Sequence, residues 1–551
     1  MIYRMFPCML LLAGAVGATE ATIETERLSS IVRELASDEY QGRAPGTAGG
    51  KKTVHYLVEK FRALGLEPGG SDGSWTNDVP MIHTLFDGPG DLKFVVEGEA
   101  QPLQQKRDIE VSTVHDIESI AIDSPVVFVG FGAYAPERDW DDYGDIDLRG
   151  KVALYLVNDP DFAAQPDEAV AGRFGNRRMT YYGRWAYKFE EAARRGAVAA
   201  LVIHETEAAG YGWNVASSSP GENYAVVAGG ESVPPVLLQG WLHGDAAAAL
   251  MQSAGYDLDA LRMRARSPDF EAFEMEGVRF DANASVTVDH FESSNVLALL
   301  PGHSHPDETL MVSAHWDAYG VGEPDEQGRT IRPGANDDAL GIAGILEIAH
   351  VLKAGPRLER SVVFAAWTAE ESGLLGSSAY AKNPVYPLEK TVANLTLDIL
   401  NTAGPSRDVV LVGEGQSELE DDLARAAASQ GRKVTPESLP ENGLFFRADH
   451  FPMARGGVPV LLIMQIAGAA DLVDGGRQAG KQWIDDYIGN CYHQTCDAWN
   501  PDWDLRGAAQ DIDLFRVIIE DLGNSRRWPQ WKAGSEFKAI REQSAEARRE
   551  K

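Results

Sequence analysis

Pro333-Gly-Ala-Asn-Asp337-Asp-Ala-Leu-Gly341 lies between His315-Trp-Asp317 on one side and Glu370-Glu371 on the other, with Asp398 and His493 further along. His315 ends the apolar run Leu310-Met-Val-Ser-Ala314, Glu370 and Glu371 follow Phe364-Ala-Ala-Trp-Thr-Ala369, and Asp398 closes Leu395-Thr-Leu397. Short apolar runs alternating with helical patterns predict a mainly parallel sheet, and open parallel sheets bind ligands in the crevice beyond the carboxyl ends of their strands. Three chemically useful groups therefore reach one crevice from three strands. Asp337 arrives there from a glycine-bounded loop that leads into a helix.

Working outward, the pattern predicts strands at Asn295 to Leu300, Thr309 to Ala314, Ser361 to Trp367, Val392 to Ile399 and Val458 to Met464, with helices from Gly341 to Lys353 and from Glu371 to about Ala381. Ile342, Ile345, Leu346, Ala349 and Leu352 form the buried stripe of the first helix. The fold class is α/β, a mostly parallel or mixed central sheet flanked by helices. Upstream, Val54, Leu57, Phe61 and Leu64 make a helical stripe that follows the break Gly42-Arg43-Ala44-Pro45-Gly46. Between 117 and 290 the texture changes to short runs rich in β-branched and aromatic residues: Val126 to Val129, Val152 to Val157, Ala199 to Ile203 and Val236 to Leu238. With one charged helix, Trp185 to Arg195, these predict an inserted β-rich domain with few helices. The division expected is a signal segment at 1–18, a catalytic domain from 19–116 and 291–551, and the insert at 117–290.

A chain of 551 residues, 44% hydrophobic and 24% charged, exceeds what one compact core holds, which agrees with two domains. No stretch reaches the roughly 18 to 20 apolar residues of a membrane span. Arg4, the apolar run Met5 to Val16 and the small residues Gly17-Ala18 have the order of a cleaved secretory signal, so an exported protein is expected. Outside that segment the cysteines are Cys491 and Cys496, flanking His493; in an exported chain such a pair favours a disulfide that stiffens the loop presenting His493. The alternative, metal-binding thiols, lacks zinc-finger spacing. A formal charge of -33 argues against nucleic acid as a partner, since phosphate binding needs clustered Lys and Arg.

The acids and histidines carry a specific chemistry only as a set. A His-x-Asp or Glu-Glu pair alone usually lies on a solvated face, Asp398 alone is an ordinary strand end, and His493 alone is more often a surface residue. Taken in order, they fill five ligand positions of a two-zinc site and leave one carboxylate to move protons. His315 and Asp317 point to the same side of an extended chain, so Asp317 is expected to accept the hydrogen bond of the ring nitrogen not facing metal. Glu370 and Glu371 diverge as neighbours, one toward metal and one toward the substrate water. Two zinc ions are neutralised by Asp337, Glu371, Asp398 and a bridging hydroxide; without metal the same acids repel and some must take protons. His303, His305 and His350 read as solvated or packed residues. Phe445-Phe-Arg-Ala-Asp-His450, with Arg184, supplies candidates for a substrate pocket: Arg184, Phe446, Arg447, Asp449 and His450.

Through His315-Trp-Asp317, Pro333 to Gly341, Trp367-Thr-Ala-Glu370-Glu371-Ser-Gly-Leu-Leu-Gly-Ser377, Asp398 and Tyr492-His493, the chain resembles the secreted dinuclear zinc exopeptidases that include bacterial leucyl aminopeptidases and glutamate carboxypeptidase II. Ser37 to Thr47 is similar to the amino-terminal segment of that family. Asp141-Asp-Tyr143, Asp147 to Val152, Tyr182-Gly-Arg-Trp185 and Pro234 to Leu238 resemble a protease-associated domain, which in relatives caps the cleft. The resemblance implies that Asp337 bridges two zinc ions, His315 and Asp398 bind one, and Glu371 and His493 bind the other. It implies further that Glu370 is the general base toward a zinc-bridging hydroxide and that Tyr492 bonds the tetrahedral intermediate. Leu340 departs from the small polar residue common in this loop.

The expected function is an exported aminopeptidase acting on peptides. Rival readings are a carboxypeptidase for acidic carboxyl-terminal residues, for which Arg184 and Arg447 are the candidate arginines, a glutaminyl-cyclase-like enzyme, and a receptor-like binding protein that has lost the chemistry.

Overall fold

The computed structural model describes residues 22–227 and 233–548. The expected signal segment at 1–18 lies outside the described residues. Among the described residues no helix is long and apolar enough to cross a membrane.

The central sheet runs in the order Val460–Ile463, Thr391–Leu397, His305–His315, Arg360–Trp367, Phe273–Leu300, Thr76–Phe86 and Glu222–Val226. Its first four strands are parallel, whereas Phe273–Leu300 and the strands beyond it pair antiparallel, so the sheet is mixed. Successive side chains of a strand leave on opposite faces. Leu310, Val312 and Ala314, with Val362, Phe364 and Ala366, face one core, and Met311, with Val363, Ala365 and Trp367, faces the other. Both faces are covered, which explains why these strands read as continuous apolar runs rather than alternating ones. The first core is closed by helices Thr25–Leu35, Ala48–Ala63, Leu340–Ala354 and Arg506–Gly523, and the second by Leu375–Lys382 and His450–Arg455.

The helix expected from Glu371 begins later, at Leu375. Ala369 and Leu374 both have positive φ, 52° and 60°, so residues 370–374 form an irregular turn rather than a helical start. That turn leaves Glu370 and Glu371 at the strand end with freely directed side chains.

Phe273–Leu300 is a single 28-residue strand whose second half belongs to the central sheet. Its first half pairs with Asp91–Val96 and Ser119–Gly130, beginning a second sheet that continues through Val152–Leu156, Ala199–His204, Leu238–His243 and Ile109–Ser112. This sheet draws on strands between 91 and 112, upstream of the expected boundary at 117. It also holds more helix than the short strands suggested, with Trp185–Arg194, Gly244–Ser253 and Leu258–Ala265. The physical reason is that Ser119–Gly130, Val152–Leu156, Ala199–His204 and Leu238–His243 run parallel, and parallel neighbours need long crossovers. The strand expected at Val236 starts at Leu238, after Pro234-Pro235.

Two buried residues secure the surroundings of the crevice. Arg43 is fully buried; its Nε donates to the Trp316 carbonyl (2.8 Å), Nη1 to those of Leu35 (3.1 Å) and Pro333 (2.5 Å), and Nη2 to that of Gly334 (2.7 Å). It ties the amino-terminal segment to the start of the Asp337 loop. His450, a candidate for the substrate pocket, is instead fully buried in the second core, 4.9 Å from the Phe445 ring centre, with neither ring nitrogen hydrogen-bonded. Burial pushes its pKa down to about 3.

Replacing Arg43 with Met strips four buried carbonyls of their donor and should cost about 3 kcal/mol or more, read as a lower urea midpoint with little change in slope. Arg43→Lys should recover only part of the loss, because a compact ammonium cannot reproduce the guanidinium fork. A histidine kept neutral in the folded chain loses stability as pH falls from its unfolded value of about 6.5 toward about 3, since only the unfolded chain gains the proton. Urea midpoints measured from pH 7 down to about pH 4 should therefore fall less steeply for His450→Phe than for the wild type.

Candidate metal centre and cleft

His315 is the last residue of its strand, and Asp398 follows directly on Thr391–Leu397. The Asp337 loop departs from Gly334, whose φ of 55° lies in the left-handed region that glycine tolerates, and runs into the helix Leu340–Ala354. Its path is fixed by a second anchor. The Asp497 carboxylate accepts from the amides of Asn336 (3.0 Å) and Asp337 (3.1 Å) and from the Tyr487 hydroxyl (3.1 Å). Asn336 in turn accepts from the Leu400 amide at 3.1 Å, joining the loop to the segment after Asp398.

These constraints bring two donor groups together around one residue. His315, Asp337 and Asp398 offer ligand atoms within 4.8 Å of one another, and so do Asp337, Glu371 and His493. Asp337 belongs to both: its Oδ1 lies 3.1 Å from His315 Nε2 and its Oδ2 3.3 Å from His493 Nε2, while His493 Nε2 is also 3.3 Å from Glu371 Oε2. Glu370 belongs to neither group but lines the same cavity, of about 310 Å³, together with Asp337, Glu371, Asp398, Tyr492 and His493.

The electrostatics are those of acids gathered out of water without a cation. Burial and then the neighbouring acids Asp337 and Glu370 raise Glu371 well above the carboxylate range, and burial with the charges of Asp398, Asp449 and Asp337 does the same to Glu370. Asp398 is pushed up to about 8, by burial first and by Asp337 second. Burial works against charge on His315, but Glu370, Asp337 and Asp338 outweigh it and hold the ring's pKa well above its usual value. Glu371 Oε1 is buried with no hydrogen-bond partner. Two imidazoles, three carboxylates and an orphaned carboxylate oxygen fit divalent cations that take nitrogen and oxygen ligands.

Asp317 acts differently from expectation. The ring nitrogen Nδ1 of His315 donates to the Asp317 backbone carbonyl at 3.2 Å, and the carboxylate stands 3.8 Å away. The carboxylate accepts instead from the Glu370 amide (3.1 Å) and, more weakly, the Glu371 amide (3.4 Å), so it sets the turn that aims both glutamates. Asp338 takes a supporting place, its carboxylate accepting from the amides of His315 (3.2 Å) and Gly341 (2.9 Å).

Cys491 and Cys496 are joined by a disulfide that brackets Tyr492-His493. His493 has a φ of 63°, and Ala369 and Ile399, beside Glu370 and Asp398, lie at 52° and 54°. Non-glycine residues persist in that region only where surrounding contacts impose it, a feature concentrated at functional sites. The His493 ring packs in tilted contact with Tyr492 and Tyr319, with ring centres 3.6 and 4.4 Å away.

Of the substrate-pocket candidates, Arg184, Phe446 and Arg447 line the cavity and Asp449 and His450 do not. Asp449 is buried behind the wall, where its Oδ1 accepts from the Ser377 hydroxyl at 2.5 Å, and His450 lies in the core. A single aromatic and charged run thus splits: Leu444, Phe446 and Arg447 reach the cavity, Phe445, Asp449 and His450 turn away from it, and Phe451, Pro452 and Arg455 of the helix that follows line it again. Sequence reading missed Arg43, Asp497 and Tyr319. Asp497 stands four residues after His493 and one after Cys496, but an acid in a polar loop gives no sign of burial.

Residues 295–515 match the family model described as Peptidase family M28. Among curated proteins, the chain is 29% identical over 227 residues to leupeptin-inactivating enzyme 1 of Streptomyces exfoliatus, covering 39% of this chain and 47% of that protein. It is 32% identical over 157 residues to aminopeptidase YwaD of Bacillus subtilis, covering 28% of this chain and 31% of the relative. The matches thus span less than half the length of these relatives. An aminopeptidase from Aneurinibacillus sp. strain AM-1 aligns over 91% of this chain and 94% of its own at 17% identity, with a TM-score of 0.48. The stretch matched by that family model carries His315, Asp337, Glu370, Glu371, Asp398 and His493.

Proposed function

We propose that the protein is an exported zinc-dependent aminopeptidase. The observation that carries this reading is the sharing of Asp337 between two donor groups, with Glu370 outside both but in the same cavity. The aminopeptidase among the relatives supports the reaction class. The candidate signal segment and the Cys491–Cys496 disulfide support export.

His315 and Asp398 would hold one zinc ion, Glu371 and His493 a second, and Asp337 would bridge them. Bound there, the ions would polarise a scissile carbonyl and lower the pKa of a coordinated water. Glu370, which lines the same cavity, would take the proton of the attacking water and pass it to the leaving amine. Tyr492 faces the same cavity with a hydroxyl able to donate to the oxygen of the tetrahedral intermediate. We assign the catalytic domain to 19–116 and 291–551 and a protease-associated domain to 117–290, with the strands at 91–112 completing the latter's sheet.

Metal analysis of the purified protein should find about two zinc ions per chain, and the loaded protein should hydrolyse amino-acyl anilides while sparing amino-blocked peptides. A protein that carries no transition metal, or that cleaves only blocked peptides with an acidic carboxyl end, would overturn the reading. Glu370→Gln should abolish turnover with zinc content unchanged; loss of metal would make Glu370 a ligand instead. Tyr492→Phe should lower kcat by about 10²–10³, with a much smaller change in KM.

A further inference from the structure

The two histidines of the candidate metal centre are held by different means. His315 directs Nε2 at Asp337 Oδ1 and donates from Nδ1 to the Asp317 carbonyl at 3.2 Å, so its ring is fixed at both nitrogens. That second bond is the usual device for orienting a metal-binding imidazole. His493 directs Nε2 at Asp337 Oδ2 and Glu371 Oε2, but among the described residues its Nδ1 has no hydrogen-bond partner. It also sits on a loop, with a φ of 63°, whereas His315 ends a strand of the central sheet. Contacts other than a hydrogen bond must therefore orient the ring. It touches Tyr492, its neighbour on the same loop, and Tyr319, which comes from outside that loop with ring centres 4.4 Å apart.

Tyr319 is delivered by a hairpin. Gly320–Val321 pairs antiparallel with Ile331–Arg332, and the base of this hairpin packs on residues 42–44. The fit there is tight: a Cβ at Gly42 would stand 2.5 Å from the Arg332 carbonyl oxygen, and one at Gly320 would stand 2.7 Å from Ala44 Cβ. Further out, the hairpin is tied to the His493 loop itself. Asp325 accepts from the amides of Gln327 and Arg329, both at 2.9 Å, and from the hydroxyl of Thr495, which lies between Cys491 and Cys496. Hairpin and loop thus meet at two points, the Asp325 bond to Thr495 and the ring contact of Tyr319 with His493. Tyr319 is 41% exposed and lines the cavity, and among the described residues its hydroxyl makes no hydrogen bond, so neither core packing nor a polar partner accounts for its place.

We infer that Tyr319 is the positioning residue of His493: its ring, held in place by the hairpin, does for this imidazole what the Asp317 carbonyl does for His315. A contact between two rings adds a few-fold to about ten-fold to an equilibrium beyond the apolar area it buries. The effect belongs to the ring and not to the hydroxyl. It acts on the metal position formed by Glu371 and His493 and leaves the position formed by His315 and Asp398 alone. The inference rests on the two-zinc reading proposed above.

The test is zinc affinity, measured without turnover by competition with a chromophoric chelator and by metal analysis after dialysis. Tyr319→Ala should weaken one zinc ion about 10-fold or more, the range over which partners of metal ligands act, and leave the other unchanged. Tyr319→Phe should keep both affinities, because the ring is retained. Thr495→Val, which cuts the tie between hairpin and loop, should shift the same ion by a smaller factor. In His493→Ala, where one ion remains, adding Tyr319→Ala should weaken that ion no further, which separates an effect through His493 from a general loosening of the cleft. Two ions held as tightly by Tyr319→Ala as by the wild type, equal losses in the Phe and Ala variants, or a further loss in the His493→Ala background would overturn the inference and leave the two-zinc reading intact. A wild-type protein that holds no zinc would overturn both.

Discussion

The Asp337 loop is held from two sides by buried ionisable groups, and the geometry of the cleft depends on that grip. Arg43 takes the carbonyls of Pro333 and Gly334 where the loop begins, and Asp497 takes the amides of Asn336 and Asp337 where it delivers its carboxylate. Backbone groups of a buried loop must find partners, and here a cation satisfies the acceptors while an anion satisfies the donors. The two side chains come from residues 43 and 497, near opposite ends of the described chain, so this one loop ties those distant segments together. Once it is fixed, one carboxylate can turn its two oxygens toward two different histidines.

The rest of the centre is built on the ends of strands whose both faces are packed. Because side chains along His305–His315 and Arg360–Trp367 are committed alternately to two cores, the strand ends cannot slide without exposing a whole apolar row. That rigidity allows the less favourable local conformations at Ala369, Ile399 and His493 to persist. The same frame keeps several acids close together in a buried space, where burial and mutual repulsion raise Glu370, Glu371 and Asp398 above the usual carboxylate range. The cavity is thus lined by acids at the strand ends and by Arg184 and Arg447 further along.

Much of this was legible in the chain itself. The strand runs, the stripe of Leu340–Ala354 and the ordering of His315, Asp337, Glu370-Glu371, Asp398 and His493 are local patterns, and local patterns survive without a structure because strand and helix periodicity impose them. Where expectation failed, a competing local geometry had won. The helix after Glu371 was delayed by two residues of positive φ, and the carboxylate of Asp317 was drawn to the amides of the next strand's turn rather than to the imidazole two residues away. In the run 445–450, composition suggested one pocket wall, but a turn followed by a helix sent Phe446 and Arg447 to the cavity and Asp449 and His450 behind it.

By itself the sequence determined the alternating α/β frame and the set of acids and histidines that gather at the strand ends, because both are written in residue type and spacing. Only the tertiary structure decided that Arg43 and Asp497 hold the Asp337 loop, that the insert's sheet recruits strands from 91–112, and that Arg184 and Arg447 line one cavity with the acids. Each is a contact between segments far apart in the chain, and such contacts are chosen by how whole surfaces pack, for which no local pattern of residues leaves a sign.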